Sequence, residues 1–404
     1  MMQSALHRVR QVLGLMRNVG PLRASKAIWQ RLRHGPRGWR GVDVFGHYDF
    51  VQSRAITLDT GPGEPGSLLW FIPDFNIGSG GHLNIFRTIW HLEQMGHTCT
   101  IVIVRPVLHA DTESARADIR EHFFPLRAPV HLSCDALPAA EFVVATSWDT
   151  AYWVRAVAGD VRKIYFVQDF EPFFYPVGSE SVLAENTYRF GFFGITAGGW
   201  LADKLARDYG MHTHAVGFGV ELERYERLPR REPEVEHVFF YARPPTPRRA
   251  FELGLLVLAE VARRRPETRF ILAGWDLSGH RIPFPHLSCG TVALDDLADL
   301  YSQCDVALVL SLTNLSLLPL ELMACGCAVV SNRGPNVEWL LGEEVALLAE
   351  PTPLALADAV CALLANTERR QALSTRAGAF ARSHTWDVVA RDFEVGLKIA
   401  RSAG

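Results

Sequence analysis

Two doubly wound α/β domains facing each other across a cleft are the fold this sequence predicts, and three observations predict it. Short apolar runs alternate with helical stretches from about residue 68 onward. The same rhythm restarts near residue 236. Between them lies "YGMHTHAVGFGVELERYERLPRREPEVE", rich in turn-forming and charged residues. Strands joined by helical crossovers imply parallel sheets covered on both faces, whose strands read as near-continuous apolar runs. A chain of 404 residues, 48% hydrophobic and 21% charged, is long enough for two such cores.

The elements follow in order. "SLLWFIPDF" reads as a buried strand, "NIGSGG" as a glycine loop and "HLNIFRTIWHLEQMG" as a helix. "TCTIVIVR", "EFVVATSW", "KIYFVQDF" and "FGITAGG" continue the strand series. In the second series "EHVFFYAR", "TRFILAG", "DVALVLS" and "CAVVSN" are strands. "AFELGLLVLAEVARRRP", "LDDLADLYSQC" and "PLELMACG" are the helices between them, and "TWDVVARDFEVGLKIA" is a last helix. The expected division is a basic arm over 1–40, a first domain over 41–222 and a second over 223–383. The terminal helix, 384–404, is expected to cross back to the first domain. Gly217 and Gly219 are the expected hinge.

Residues 1–40 hold nine Lys or Arg and no acid, which leaves the rest of the chain with twelve more acids than bases. Leu6, Val9, Leu13 and Met16 recur at helical spacing beside Arg8, Arg10 and Arg17. A helix lying on an anionic membrane, a helix packed on the body and a flexible extension all fit that pattern. Arginines interrupt the apolar stretch, so it does not read as a signal peptide, and no run of about eighteen apolar residues predicts a membrane span. The seven cysteines form no Cys-x-x-Cys pair, so no zinc site or disulfide framework is signalled. The acidic body argues against nucleic acid as a partner.

Three stretches carry chemistry. In "SLTNLSLLPLELMACGCAVVSN" a polar turn, Thr313 and Asn314, leads to a helix expected near Pro319. The backbone N–H groups of Ser316, Leu317 and Leu318 would point out of that helix start, where a phosphate fits. Glu321, one turn inside, would reach a hydroxyl-bearing group beyond it. In "YARPPTPRRAFELG", Arg243 and Arg248 lie just past a strand in a loop stiffened by prolines, which suits a leaving diphosphate. In "YFVQDFEPFFYP", Asp169 and Glu171 follow a strand, and extended geometry would aim both carboxylates to one side. Asp169 could orient or deprotonate an acceptor hydroxyl, with Phe170, Phe173, Phe174 and Tyr175 as stacking faces.

The first of these stretches resembles the segment Glu-Gly-Phe-Gly-Leu-x-x-x-Glu-Ala-Met-Ala-x-Gly of family-four glycosyltransferases, which have the GT-B fold. Glu321, Met323, Ala324 and Gly326 match in place, while Thr313 stands where the family's first glutamate touches the donor sugar. The arginine loop resembles the family's Gly-Arg-x-x-x-x-Lys-Gly motif, with Arg248 in place of lysine. "GSGGHL" resembles its glycine-rich loop, placing Gly80, Gly81 and His82 on the acceptor side. "GFGVE" resembles the close of the first domain. The resemblance spans about residues 68 to 390 and is nearest to rhamnosyltransferases of bacterial cell-surface glycans, which use dTDP-rhamnose.

It implies transfer of a sugar from a nucleotide-diphosphate donor to a saccharide or lipid-linked saccharide acceptor, with retention. It also implies no metal or other cofactor, and work in the cytoplasm or at the inner membrane face. In it Glu321 takes the nucleotide ribose. A nucleotide-sugar epimerase and a non-catalytic scaffold are the alternatives. A nicotinamide fingerprint is set aside, because Leu83 occupies its third glycine position and no ribose-binding acid follows the second strand.

Overall fold

The computed structural model describes residues 43–52, 55–58 and 63–402. The basic arm over 1–40 lies outside them. The strands among the described residues are β1 (Ser67–Pro73), β2 (Thr98–Val104), β3 (Val130–His131), β4 (Phe142–Ala145), β5 (Arg162–Val167), β6 (Phe193–Ala197), β7 (Thr213–Val216), β8 (His237–Tyr241), β9 (Arg269–Ala273), β10 (His286–Gly290), β11 (Val306–Val309), β12 (Ala328–Asn332) and β13 (Ala346–Ala349). They form two sheets, of orders β3-β2-β1-β4-β5-β6-β7 and β10-β9-β8-β11-β12-β13. The pairings are parallel, as the apolar runs and helical crossovers require.

The described residues divide into two compact units, one ending at Lys163 and the other beginning at Ile164. In the first, β1 is buried along all but its last residue and pairs with β2 and β4. The chain then turns through Gly78, whose φ of +82° suits glycine, into the Gly80–Gln94 helix. Asp74, just past β1, accepts backbone N–H bonds from Val107 and Leu108 and faces His109, whose other ring nitrogen is 3.3 Å from Asp118. That carboxylate ties the segment after β2 to the end of β1. Burial alone would raise it. The His109 hydrogen bond and the two N–H groups outweigh burial and bring the Asp74 carboxyl down to about 2.

In the second unit Val238, Phe240, Leu258, Phe270, Val306, Val330 and Val360 make one core. Burying each contributes about 1.5–3 kcal/mol. The Phe251–Arg264 helix lies so close to the sheet that a Cβ on Gly254 would stand 2.0 Å from the Phe240 ring. The Trp386–Ser402 helix packs on β5–β7: Phe393 meets Phe166 at 5.4 Å and Asp392 takes a 2.9 Å bond from His214. Gly219, expected as a hinge, is instead a seat. A Cβ there would meet the Trp386 ring and backbone at 2.8 Å, and Val220 N–H donates to the His384 carbonyl.

The strand order reverses between β8 and β11, where the chain leaves β8 toward β9 on one side and β11 toward β12 on the other. Ligands of open α/β sheets sit outside the carboxyl ends of the strands at such a reversal. The Arg243–Arg249 loop follows β8 and the Ser311–Leu317 turn follows β11.

Candidate functional site

Four side chains fix the turn after β11. Asn332 accepts from Ser311 N–H at 2.8 Å and donates back to the Ser311 carbonyl at 2.9 Å. Asn336 donates to the Ser311 and Thr313 carbonyls. Arg249 donates to the Ser311 hydroxyl and, at 3.1 Å, to the Asn314 carbonyl. Asp169 accepts from the Thr313 hydroxyl at 2.9 Å and from Asn314 N–H at 2.8 Å. The turn meets the arginine loop directly, since Leu312 N–H donates to the Arg248 carbonyl at 2.9 Å.

Asn314 is fully buried and saturated. Its amide donates to the carbonyls of Gln168 (3.0 Å) and Ala197 (2.6 Å), while its oxygen accepts from the Trp339 indole at 3.0 Å. The Trp339 ring lies on Gly198, whose φ is +92° and where a Cβ would come within 2.6 Å of the ring. The ends of β5, β6 and β11 are thus pinned through one asparagine.

Asp169 is 8% exposed. Besides the turn, it accepts from Phe170 N–H at 2.8 Å and lies 3.3 Å from Arg248 Nε. Burial pushes its carboxyl up, while Arg249, Arg248, the Asn314 N–H and the Thr313 hydroxyl pull it down. The Arg248 guanidinium also covers the Phe174 ring at 4.1 Å. Burial lowers Arg249 to about 10, opposed by Asp169. Arg248 therefore pairs with the carboxylate, and Arg249, bonded to the turn, lies within its field where the strand order reverses.

The expected residues fall into groups. Asp169, Arg248, Thr313 and Asn314 meet in this network. Arg243 stands at the start of the same loop, donating to the Tyr241 hydroxyl at 3.0 Å. Ser316, Leu317 and Leu318 are half-buried and lead into the Leu318–Ala324 helix, with Pro319 in its first turn. Glu321 is half-buried on that helix, close enough to Tyr301 to join burial in raising its phenol.

Glu171 points elsewhere. The chain bends into a 3-10 turn, Glu171–Phe174, so its carboxylate does not project beside that of Asp169. It accepts instead from the buried Tyr165 hydroxyl at 2.8 Å. Of the aromatic residues, Phe170 is buried against Tyr188, Phe174 lies under Arg248, and Phe173 is exposed.

In the first unit Gly80 and Gly81 open the helix after the glycine loop, and His82 is held by Ser79 at 2.9 Å and the Pro73 carbonyl at 3.1 Å. Burial lowers its imidazole. Sequence reasoning passed over Arg249, Trp339, Asn336 and Asp74. Asp74 alone carried a signal, an acid directly after a buried strand.

Comparison with known proteins agrees with this architecture. Residues 236–361 match the family model described as "WsaF, C-terminal domain". The O-antigen biosynthesis protein RfbC of Myxococcus xanthus is 34% identical over 343 residues, 79% of this chain. The chain spans 26% of the length of that relative. Among solved structures, sucrose-phosphate synthase from Thermosynechococcus elongatus superposes with TM-score 0.64 at 14% identity, over 84% of this chain and 100% of that one. Anabaena HepE in complex with UDP-glucose gives 0.62 at 16% identity, over 83% and 99%. A glycosyltransferase from Rickettsia africae gives 0.59 at 14%, over 84% and 98%. The chain shares the GT-B fold of these structures, and its residues 236–361 are similar to the WsaF C-terminal domain.

Proposed function

We propose that the chain is a glycosyltransferase of bacterial surface-polysaccharide assembly, moving a sugar from a nucleoside-diphosphate donor to a saccharide acceptor. One observation carries the reading: Arg248, paired with Asp169, and Arg249, bonded to the turn beside it, gather where the strand order reverses between β8 and β11. Such clustered guanidinium groups suit a diphosphate, and most of all the charge that develops as the diphosphate leaves. Arg243 and Arg248 hold that group. The chain around Ser316, Leu317 and Leu318 approaches it from the turn, and Glu321 takes the ribose. Retention of configuration, with the departing phosphate receiving the acceptor proton, belongs to the same reading, as does a reaction without metal. The name of the RfbC relative, from O-antigen biosynthesis, supports the pathway class. A dTDP-linked 6-deoxyhexose such as rhamnose is the proposed donor. Gly80, Gly81 and His82 serve the acceptor, and the reaction runs at the inner face of the cell membrane. Among the described residues no helix is long and apolar enough to cross a membrane.

The test is release of nucleoside diphosphate from a donor panel, with and without acceptor glycan. Acceptor-dependent release, falling about a hundredfold in Arg248→Ala and strongly in Arg243→Ala and Glu321→Ala, is expected. Donor conversion without any acceptor would mark an epimerase. Failure to bind any nucleoside diphosphate would mark a scaffold.

A further inference from the structure

We propose that the Trp275 indole is the stacking face for the donor's nucleobase, and so the residue that makes a nucleoside diphosphate bind better than bare pyrophosphate. The inference rests on reading the Arg243–Arg248 loop as the diphosphate grip.

Trp275 is the second residue past β9, the strand beside β8. It is 37% exposed at the carboxyl end of the sheet, where the proposed donor site lies. The backbone that presents it is fixed. Gly274 has φ +120°, and a Cβ there would meet the Tyr241 ring at 2.6 Å, so the chain crosses the face of that tyrosine at a residue only glycine suits. The Tyr241 hydroxyl accepts from Arg243 at 3.0 Å, and the Arg243 guanidinium lies over one face of the Trp275 ring, 5.9 Å from its centre. Tyrosine, arginine and tryptophan thus form one cluster, in which a cation lies on one face of a partly exposed flat ring and the other face is the one offered to a base.

A ligand matched to that pair carries a dianion and a π-face joined by a short linker. A nucleoside diphosphate has both, joined by its ribose. Stacking on an indole is tolerant of base identity, because every base has a π-face. It would therefore favour nucleotides as a class, leaving the choice among bases to hydrogen bonds at their edges.

The experiment is calorimetric titration of the full chain and of its Trp275→Ala and Trp275→Phe variants with inorganic pyrophosphate, UDP, GDP, ADP and dTDP. Trp275→Ala should lower affinity for the tightest nucleotide by about tenfold or more and leave pyrophosphate affinity unchanged. Trp275→Phe should keep most of the nucleotide affinity. Equal losses for pyrophosphate and nucleotide, or no loss for either, would overturn the assignment of Trp275 while leaving the diphosphate reading in place. A wild-type chain that binds neither pyrophosphate nor any nucleotide would overturn the diphosphate reading itself. The side chain is partly exposed, so the variants should melt within a few degrees of wild type; a larger drop in Trp275→Ala would show a packing role and count against the proposal.

Discussion

Replacing Asp169 with asparagine separates two roles for that carboxylate. As a general base it would lose turnover and little else. As the anchor of the turn after β11 it would lose stability and anion binding together. The geometry favours the anchor. One oxygen accepts two backbone N–H groups, from Phe170 and Asn314, and an asparagine oxygen could keep both. The other accepts the Thr313 hydroxyl and lies 3.3 Å from Arg248 Nε. In asparagine that atom becomes an NH2, which sets donor against donor and leaves the two guanidinium groups without a counter-charge.

Removing one partner of a buried ion pair costs about 3–5 kcal/mol, and because Arg248 reaches solvent the lower end, about 3 kcal/mol, applies. Thr313→Val removes one neutral hydrogen bond and should cost about 1 kcal/mol. Urea denaturation of the full chain, followed by circular dichroism, measures both. Asp169→Asn at wild-type stability with normal nucleoside-diphosphate affinity and lost turnover would refute the anchor and restore the base.

Three further outcomes are expected. Gly198→Ala should destabilise by about 1–3 kcal/mol, because φ is +92° and the new methyl would stand 2.6 Å from the Trp339 ring; thermal melting and a change in tryptophan emission would report it. The depressed Asp74 carboxyl, at about 2 against a usual 3.8, contributes stability that is present above pH 3.8 and lost as pH falls toward 2, at most about 2 kcal/mol. The stability gap between wild type and Asp74→Asn should therefore be widest near neutrality and narrow between pH 4 and pH 2, and a constant gap would contradict the assignment. Gly254→Ala should destabilise through overpacking by about 1–3 kcal/mol and leave nucleotide affinity per folded molecule unchanged, because its Cβ would strike Phe240 inside the core.

The alternation of apolar runs and helical stretches was enough to read most of both sheets, because a strand covered on both faces must be mainly apolar, as β1, β8 and β11 are. Four strands escaped: β3 has only two residues, β13, "ALLA", is short, β10, "HLSCG", is an edge strand with exposed and half-exposed residues, and β7, "THAV", carries half-buried polar residues. β7 lies within the stretch read as a connection. The motif resemblance pointed to Arg248 and the Thr313–Asn314 turn, which stand in the loops after β8 and β11. Spacing alone could not choose between Arg248 and Arg249, which are adjacent. The 3-10 turn Pro247–Arg249 and the left-handed Ala250 behind it, φ +50°, shape that corner, where Arg249 bonds to Ser311 and Arg248 reaches Asp169. Tertiary contact makes that choice, and it leaves no periodic trace.

Thr313 shows why a motif departure is best judged in three dimensions. In the resemblance it stands where a glutamate is expected, which by itself looks like a lost carboxylate. In the fold, position 313 is 1% exposed and faces the carboxylate of Asp169 at hydrogen-bond distance. A threonine hydroxyl can donate to that carboxylate, whereas an ionised glutamate can only accept. Two buried carboxylates sharing the spot would repel, and one would be forced to hold a proton. The threonine and the aspartate are therefore one arrangement: the acid reaches this corner from the end of β5, and the residue after β11 is the donor that receives it.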